Sequence, residues 1–106
     1  MKINPNLLPF RFIQDSVVKS TGSGGGTAVL LFGSWNAVKT AFANAGQPLP
    51  SNAVKEKLGV FLVNGDGDAA STHVEGATWS GGGLYAVFDP AHRGNIRINY
   101  VLMYFL

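Results

Sequence analysis

The chain has 106 residues, with 46% hydrophobic and 13% charged residues, a net charge of +2 and no cysteine. That length supports one domain with a single modest core. The cysteine count excludes disulfides and thiolate metal sites, and the weak, scattered positive charge argues against nucleic acid as a partner. Charged residues fall to about half the usual ~25%. So few charges leave little to keep a free surface wet, which points to a surface partly covered by other chains. Fourteen glycines and five prolines imply many turns and a β-rich fold.

Residues 1–9 hold Pro5 and Pro9 and have no clear period, so they read as an extended N-terminal arm ahead of a β-rich domain at 10–106. No apolar core of a signal peptide is visible there, and no apolar run approaches the ~20 residues of a membrane span. The segment FRFIQDSVV, 10–18, reads as a strand with Phe10 and Phe12 turned inward and Arg11 outward. STGSGGG, 20–26, is a loop, and TAVLLF, 27–32, is a buried strand. The period then changes. Trp35, Val38, Phe42 and Ala45 share one helical face, Ser34 caps the start and Gly46 the end, so a short helix is expected over 34–46. A second helical turn is expected over 51–58.

From Gly59 the pattern is β. Strands are expected at 60–63, 72–79, 84–88 and 95–106. Turns are expected at NGDGD (64–68), SGGG (80–83) and DPAHRG (89–94). The sum is a mainly β fold: an antiparallel two-sheet sandwich or jelly roll with one short helical insertion. A small α+β sheet with one packed helix is the competing architecture.

Motifs that carry chemistry give little. Asn64, Asp66, Asp68 and Glu75 match four ligand positions of an EF-hand loop, but Ala69 stands where the sharp turn needs glycine and the flanks read as strands. An acidic loop explains them better than calcium. Asp89, His92 and Arg93 include an acid–base pair, yet no nucleophile stands in a recognisable frame. A contact loop is the simpler reading, so no catalytic residue, cofactor or metal is expected. Loops carrying Asn64, Asp66, Asp68, Asp89, His92 and Arg93 could face a ligand such as a glycan.

The terminal strand, NIRINYVLMYFL, carries the most weight. Ile96, Ile98, Tyr100, Leu102, Tyr104 and Leu106 form one face. The other begins polar with Arg97 and Asn99 and turns apolar with Val101, Met103 and Phe105. Both faces dry at once demand two covers. One cover is another subunit, with Leu7, Leu8, Val101, Met103, Phe105 and Leu106 as interface residues; the other explanation is a roof formed by the 34–46 helix.

Residues 84–104 (LYAVFDPAHRGNIRINYVLMY) resemble the closing hairpin of small β-sandwich proteins of tailed bacteriophage particles, both capsid cement or decoration proteins and tail-fibre tips. The likeness rests on an aromatic strand, a glycine turn and an R-I-N-Y strand. It implies a non-enzymatic virion protein, homo-oligomeric and often trimeric, made in a bacterial host cytoplasm and contacting other virion proteins. A cement role is expected first. A receptor-binding tip that contacts host glycans, or a small carbohydrate-binding domain, is the other expectation. No membrane contact is implied.

Overall fold

Six strands and one α-helix account for most of the described residues, 8–20, 26–67, 73–92 and 95–106, in a computed structural model of the chain. The strands are β1 (Phe10–Ser20), β2 (Gly26–Phe32), β3 (Leu58–Gly67), β4 (His73–Ser80), β5 (Gly83–His92) and β6 (Asn95–Phe105). They form two antiparallel three-stranded sheets with orders β1-β6-β3 and β2-β5-β4. The fold is therefore a small two-sheet sandwich with one helix. The single-sheet α+β arrangement is ruled out.

Helix α1 (Trp35–Asn44) forms where its local signals place it. The Ser34 hydroxyl accepts the Ala37 N–H at 3.0 Å, satisfying one of the helix's free donors. At the other end Gly46 takes φ +76°, its N–H donating to the Ala43 carbonyl at 3.0 Å and the next, from Gln47, reaching Phe42 at 2.9 Å. That pair of bonds is a Schellman cap, which requires a residue free to adopt positive φ. Val38 and Phe42 are fully buried, whereas Ala45, expected on the same face, is exposed. The 51–58 segment is mostly irregular, with a 3₁₀ turn at Lys55–Lys57.

The core lies between the sheets in two parts. Val29, Ala86, Phe88 and Ile98 bring both sheets together directly. Val38 and Phe42 of α1 join Leu84 and Leu102, one from each sheet, at the end where Trp35, Trp79, Phe32 and Tyr100 surround them. The rings meet edge-on there, Trp35 to Trp79 at 6.2 Å and Phe32 to Tyr100 at 5.8 Å between centroids. The helix touches β1 and β2, the outer strands of the two sheets on the same side, and so closes that side of the sandwich.

Connections differ from those expected. The β4–β5 turn is a true hairpin: Ser80 pairs with Gly83, and Gly81 and Gly82 have φ of 57° and 86°, the type I′ combination that matches strand twist. In contrast, β3 and β4 lie in opposite sheets, as do β5 and β6. NGDGD is therefore no hairpin turn. β3 continues through Asn64 and Asp66 to Gly67, with a register irregularity that lets the glycines into the ladder. Nor is 84–104 a hairpin; it is an arch that leaves one sheet and enters the other. DPAHRG is not a turn either, because β5 runs on through Asp89 and Pro90 to His92. Proline survives in this central strand because the ladder is irregular beside it. Gly26 pairs with His92 and Ala28 with Val87, so one residue of β2 spans four of β5.

Candidate functional site: the outer face of the β1-β6-β3 sheet

Register decides which residues share a face, since directly opposed residues point the same way. Across β1-β6-β3, one set of rows is Ile13–Leu102–Val60, Asp15–Tyr100–Leu62 and Val17–Ile98. These face the core. The alternate rows are Phe10–Phe105, Phe12–Met103–Gly59, Gln14–Val101–Phe61 and Ser16–Asn99–Val63, followed by Val18–Arg97. They form the outer face. Strand β6 thus has the polar-to-apolar outer face read from its sequence, and its neighbours repeat it: the Arg97 end is polar, the Phe105 end aromatic.

The helix does not roof this face. Its Val38 and Phe42 pack with Leu102 on the inner side, and Trp35 lies 6.5 Å from the Tyr104 ring on that side too. The Tyr104 hydroxyl accepts the Val54 N–H at 3.1 Å, pinning the segment after the helix to the inner side. The expectation for β1 is inverted. Phe10 and Phe12 stand on the outer face, with the Phe10 ring 5.9 Å from both Phe12 and Phe105. Arg11 takes the inner row beside Tyr104. Its guanidinium reaches the Leu8 and Phe10 carbonyls at 3.4 Å, and its Nε is buried without a hydrogen-bond partner. Ring-to-ring packing with Phe105 holds the phenylalanines on the outside, since the inner row at that end is already taken by Tyr104.

Exposure on this face is high for such large side chains. Phe61 is 58% exposed, Val63 61% and Phe105 63%, while Val101 and Met103 are half-buried. A shallow notch of about 150 Å³ opens between β1 and β3, lined by Gln14, Phe61, Val63, Asn99, Tyr100 and Val101. Gly59 makes the shape possible. The Phe61 ring lies back over it, 3.2 Å from where a Cβ would stand. Within the four rows from Phe10–Phe105 to Ser16–Asn99–Val63 there is no formal charge. Beyond them Arg97 donates to the Ser16 hydroxyl at 3.3 Å.

The edge of β1 is managed separately. Gln47, 8% exposed, accepts the Phe12 N–H with its side-chain oxygen at 2.9 Å. The residue that completes the helix cap therefore also occupies a free donor of the sheet edge, which blocks strand addition there.

Other expected site residues are dispersed. Leu8 is half-buried beside the face, Leu106 is 59% exposed with its N–H on the Pro9 carbonyl at 3.0 Å, and Leu7 lies outside the described residues. Asn64 and Asp66 are strand positions in one sheet and Glu75 in the other, with Asp68 outside the described residues. Ligand positions inside a strand do not form the encircling loop that an EF-hand needs, and among the described residues no cluster of metal-ligating side chains occurs. Asp89 is paired in register with His73, and His92 with Gly26, on opposite flanks of β5; Arg93 lies outside the described residues. Among the described residues no helix is long and apolar enough to cross a membrane.

Tyr100, beneath the notch, has its hydroxyl pKa raised, first by burial and then by the Asp15 carboxylate in the same row. Sequence reasoning missed Phe10, Phe12, Phe61 and Val63 as members of this face; the detectable signal was the absence of charge at alternate positions, 10–16 in β1, 59–63 in β3 and 99–105 in β6, with Arg11 and Asp15 falling on the other parity. Comparison of the chain with protein-family models, curated proteins and solved structures finds no match.

Proposed function

We propose that this protein is a non-enzymatic structural subunit that works by association through the outer face of its β1-β6-β3 sheet. The observation that carries the reading is a charge-free face with Phe61, Val63 and Phe105 more than half exposed. Burying each such side chain is worth roughly 1.5–3 kcal/mol, so a partner that covers them gains several at once. Contiguous apolar surface of this kind marks interaction sites. The capped β1 edge favours association by face over strand addition.

The setting proposed is a tailed-phage particle, with the subunit acting as a cement or decoration protein between neighbouring virion proteins. This narrower part rests on the resemblance of residues 84–104, which is one of sequence pattern, since those residues form an arch. Light scattering on the purified protein, alone and with particles, tests both levels. Oligomers at micromolar concentration and incorporation into particles are expected. A protein that stays monomeric at high concentration and binds no particle overturns the reading. Binding by the monomer on a glycan array would replace it with a receptor-binding role.

A further inference from the structure

The outer face carries both a protrusion and a recess. Phe105 stands at one end of β6, 63% exposed. The notch of about 150 Å³ is centred on Val101, between Gln14 and Phe61. An enclosed cavity of about 150 Å³ accommodates a benzene ring, so this open notch has room for an aromatic ring laid into it from above. Both features lie over the same strand, with Met103 midway between them.

We propose, resting on the assembly reading above, that the partner on this face is a second copy of the same chain, held by reciprocal insertion of Phe105 into the notch. A twofold axis lying in the interface and crossing β6 at Met103 turns Phe105 of each copy onto Gln14, Phe61 and Val101 of the other. Such an interface is isologous: one contact, made twice. One further property favours a second copy. The face has no formal charge over these rows, so two copies meet without repulsion, and an acidic or basic partner would find no counter-charge. The axis superposes the rows from Val101 to Phe105, so three strands about 4.8 Å apart and about five residues at about 3.4 Å give a footprint of roughly 14 by 17 Å. That is on the order of 500 Å² in projection over both copies, below the standard interface, so the expected dimer is a weak, concentration-dependent one.

The test uses two variants that should each fail alone. Phe105→Asp removes the protrusion, and Phe61→Lys spoils the recess. Both positions are more than half exposed, so folding is expected to persist and is checked by circular-dichroism melting. Wild type is expected to scatter as a dimer and each variant as a monomer. An equimolar mixture should recover 1:1 dimers, because it restores one native Phe105–Phe61 contact and creates one Asp–Lys contact. Wild-type oligomers that persist in Phe105→Asp, or variants that do not recover on mixing, overturn this inference and leave the broader assembly reading standing. A monomeric wild type overturns both.

Discussion

The two outer faces of the sandwich start from the same device and finish differently. On each, a glycine lies under a neighbouring aromatic ring: Gly59 under Phe61 in one sheet, Gly83 beside Tyr85 and under Leu30 in the other. On the β2-β5-β4 sheet that packing leaves one large apolar side chain, Leu30 at 40%, exposed among the described residues. Its outer rows run Leu30–Tyr85–Thr78 and Ala28–Val87–Gly76, so small or hydroxylated side chains take the positions left open, and Gly83 itself is buried. On the β1-β6-β3 sheet the corresponding positions hold Phe10, Phe12, Phe61 and Phe105; Phe61 and Phe105 stay in solvent and Phe10 and Phe12 are half-buried. Equal strand number and antiparallel pairing thus do not set surface character. The lesson is that a two-layer fold this thin has enough apolar material for one shared core plus one further surface, and it places the surplus on one side.

The largest expected effect breaks the comparison outright. Phe105→Asp should weaken self-association at least ~30-fold by sedimentation, the scale of one lost hot-spot side chain, while Thr78→Asp on the other face should leave it unchanged. Equal effects from both would erase the distinction between the faces. Next, Gln47→Ala leaves the Phe12 N–H unsatisfied beside the helix. A loss of about 1–3 kcal/mol in denaturant unfolding is expected, together with concentration-dependent aggregation as the β1 edge opens next to the aromatic rows. Ser34→Ala acts on the core that both sheets share. It should cost about 1 kcal/mol through the lost cap and leave the association constant alone, which separates core stability from face chemistry.

Tyr100 gives the smallest effect, on the reverse of the same strand. Its raised folded pKa means that the unfolded chain loses the phenolic proton first as pH rises. The contribution is fully present below the ordinary tyrosine value near ~10 and is lost as pH climbs from there through the raised value. Melting temperature should therefore fall above about pH 10, and less steeply in Tyr100→Phe.

Much of this was legible locally. The helix could be read because Ser34 and Gly46 act through bonds to residues a few positions away, and the β4–β5 hairpin because two glycines suit a type I′ turn. What could not be read was long-range. Strand β1 has apolar residues on both faces, Phe10 and Phe12 on one, Ile13 and Val17 on the other, so alternation alone cannot say which pair enters the core; pairing with β6 decides it. Likewise Asp89-Pro90 has turn chemistry, and only the irregular ladder on β2 lets β5 run through it. The candidate site was half visible. Val101, Met103 and Phe105 announced it, but the rows from β1 and β3 that widen a stripe into a surface depend on a register no local pattern encodes.

The strand order has a kinetic consequence. In the β1-β6-β3 sheet both outer strands bond only to β6, which follows them in the chain. Before β6 is synthesised, β1 and β3 have no ladder to join, and the phenylalanines of β1 have no Phe105 to rest against. The β4–β5 hairpin and the capped helix can form early, because their contacts are local. Closing Phe10 against Phe105 then requires ordering nearly the whole span between them, and loop closure over that span must precede the reward of the contacts. Folding should end in one late step that builds the β1-β6-β3 sheet and its outer face together, so the surface proposed for association exists only on chains whose fold is complete.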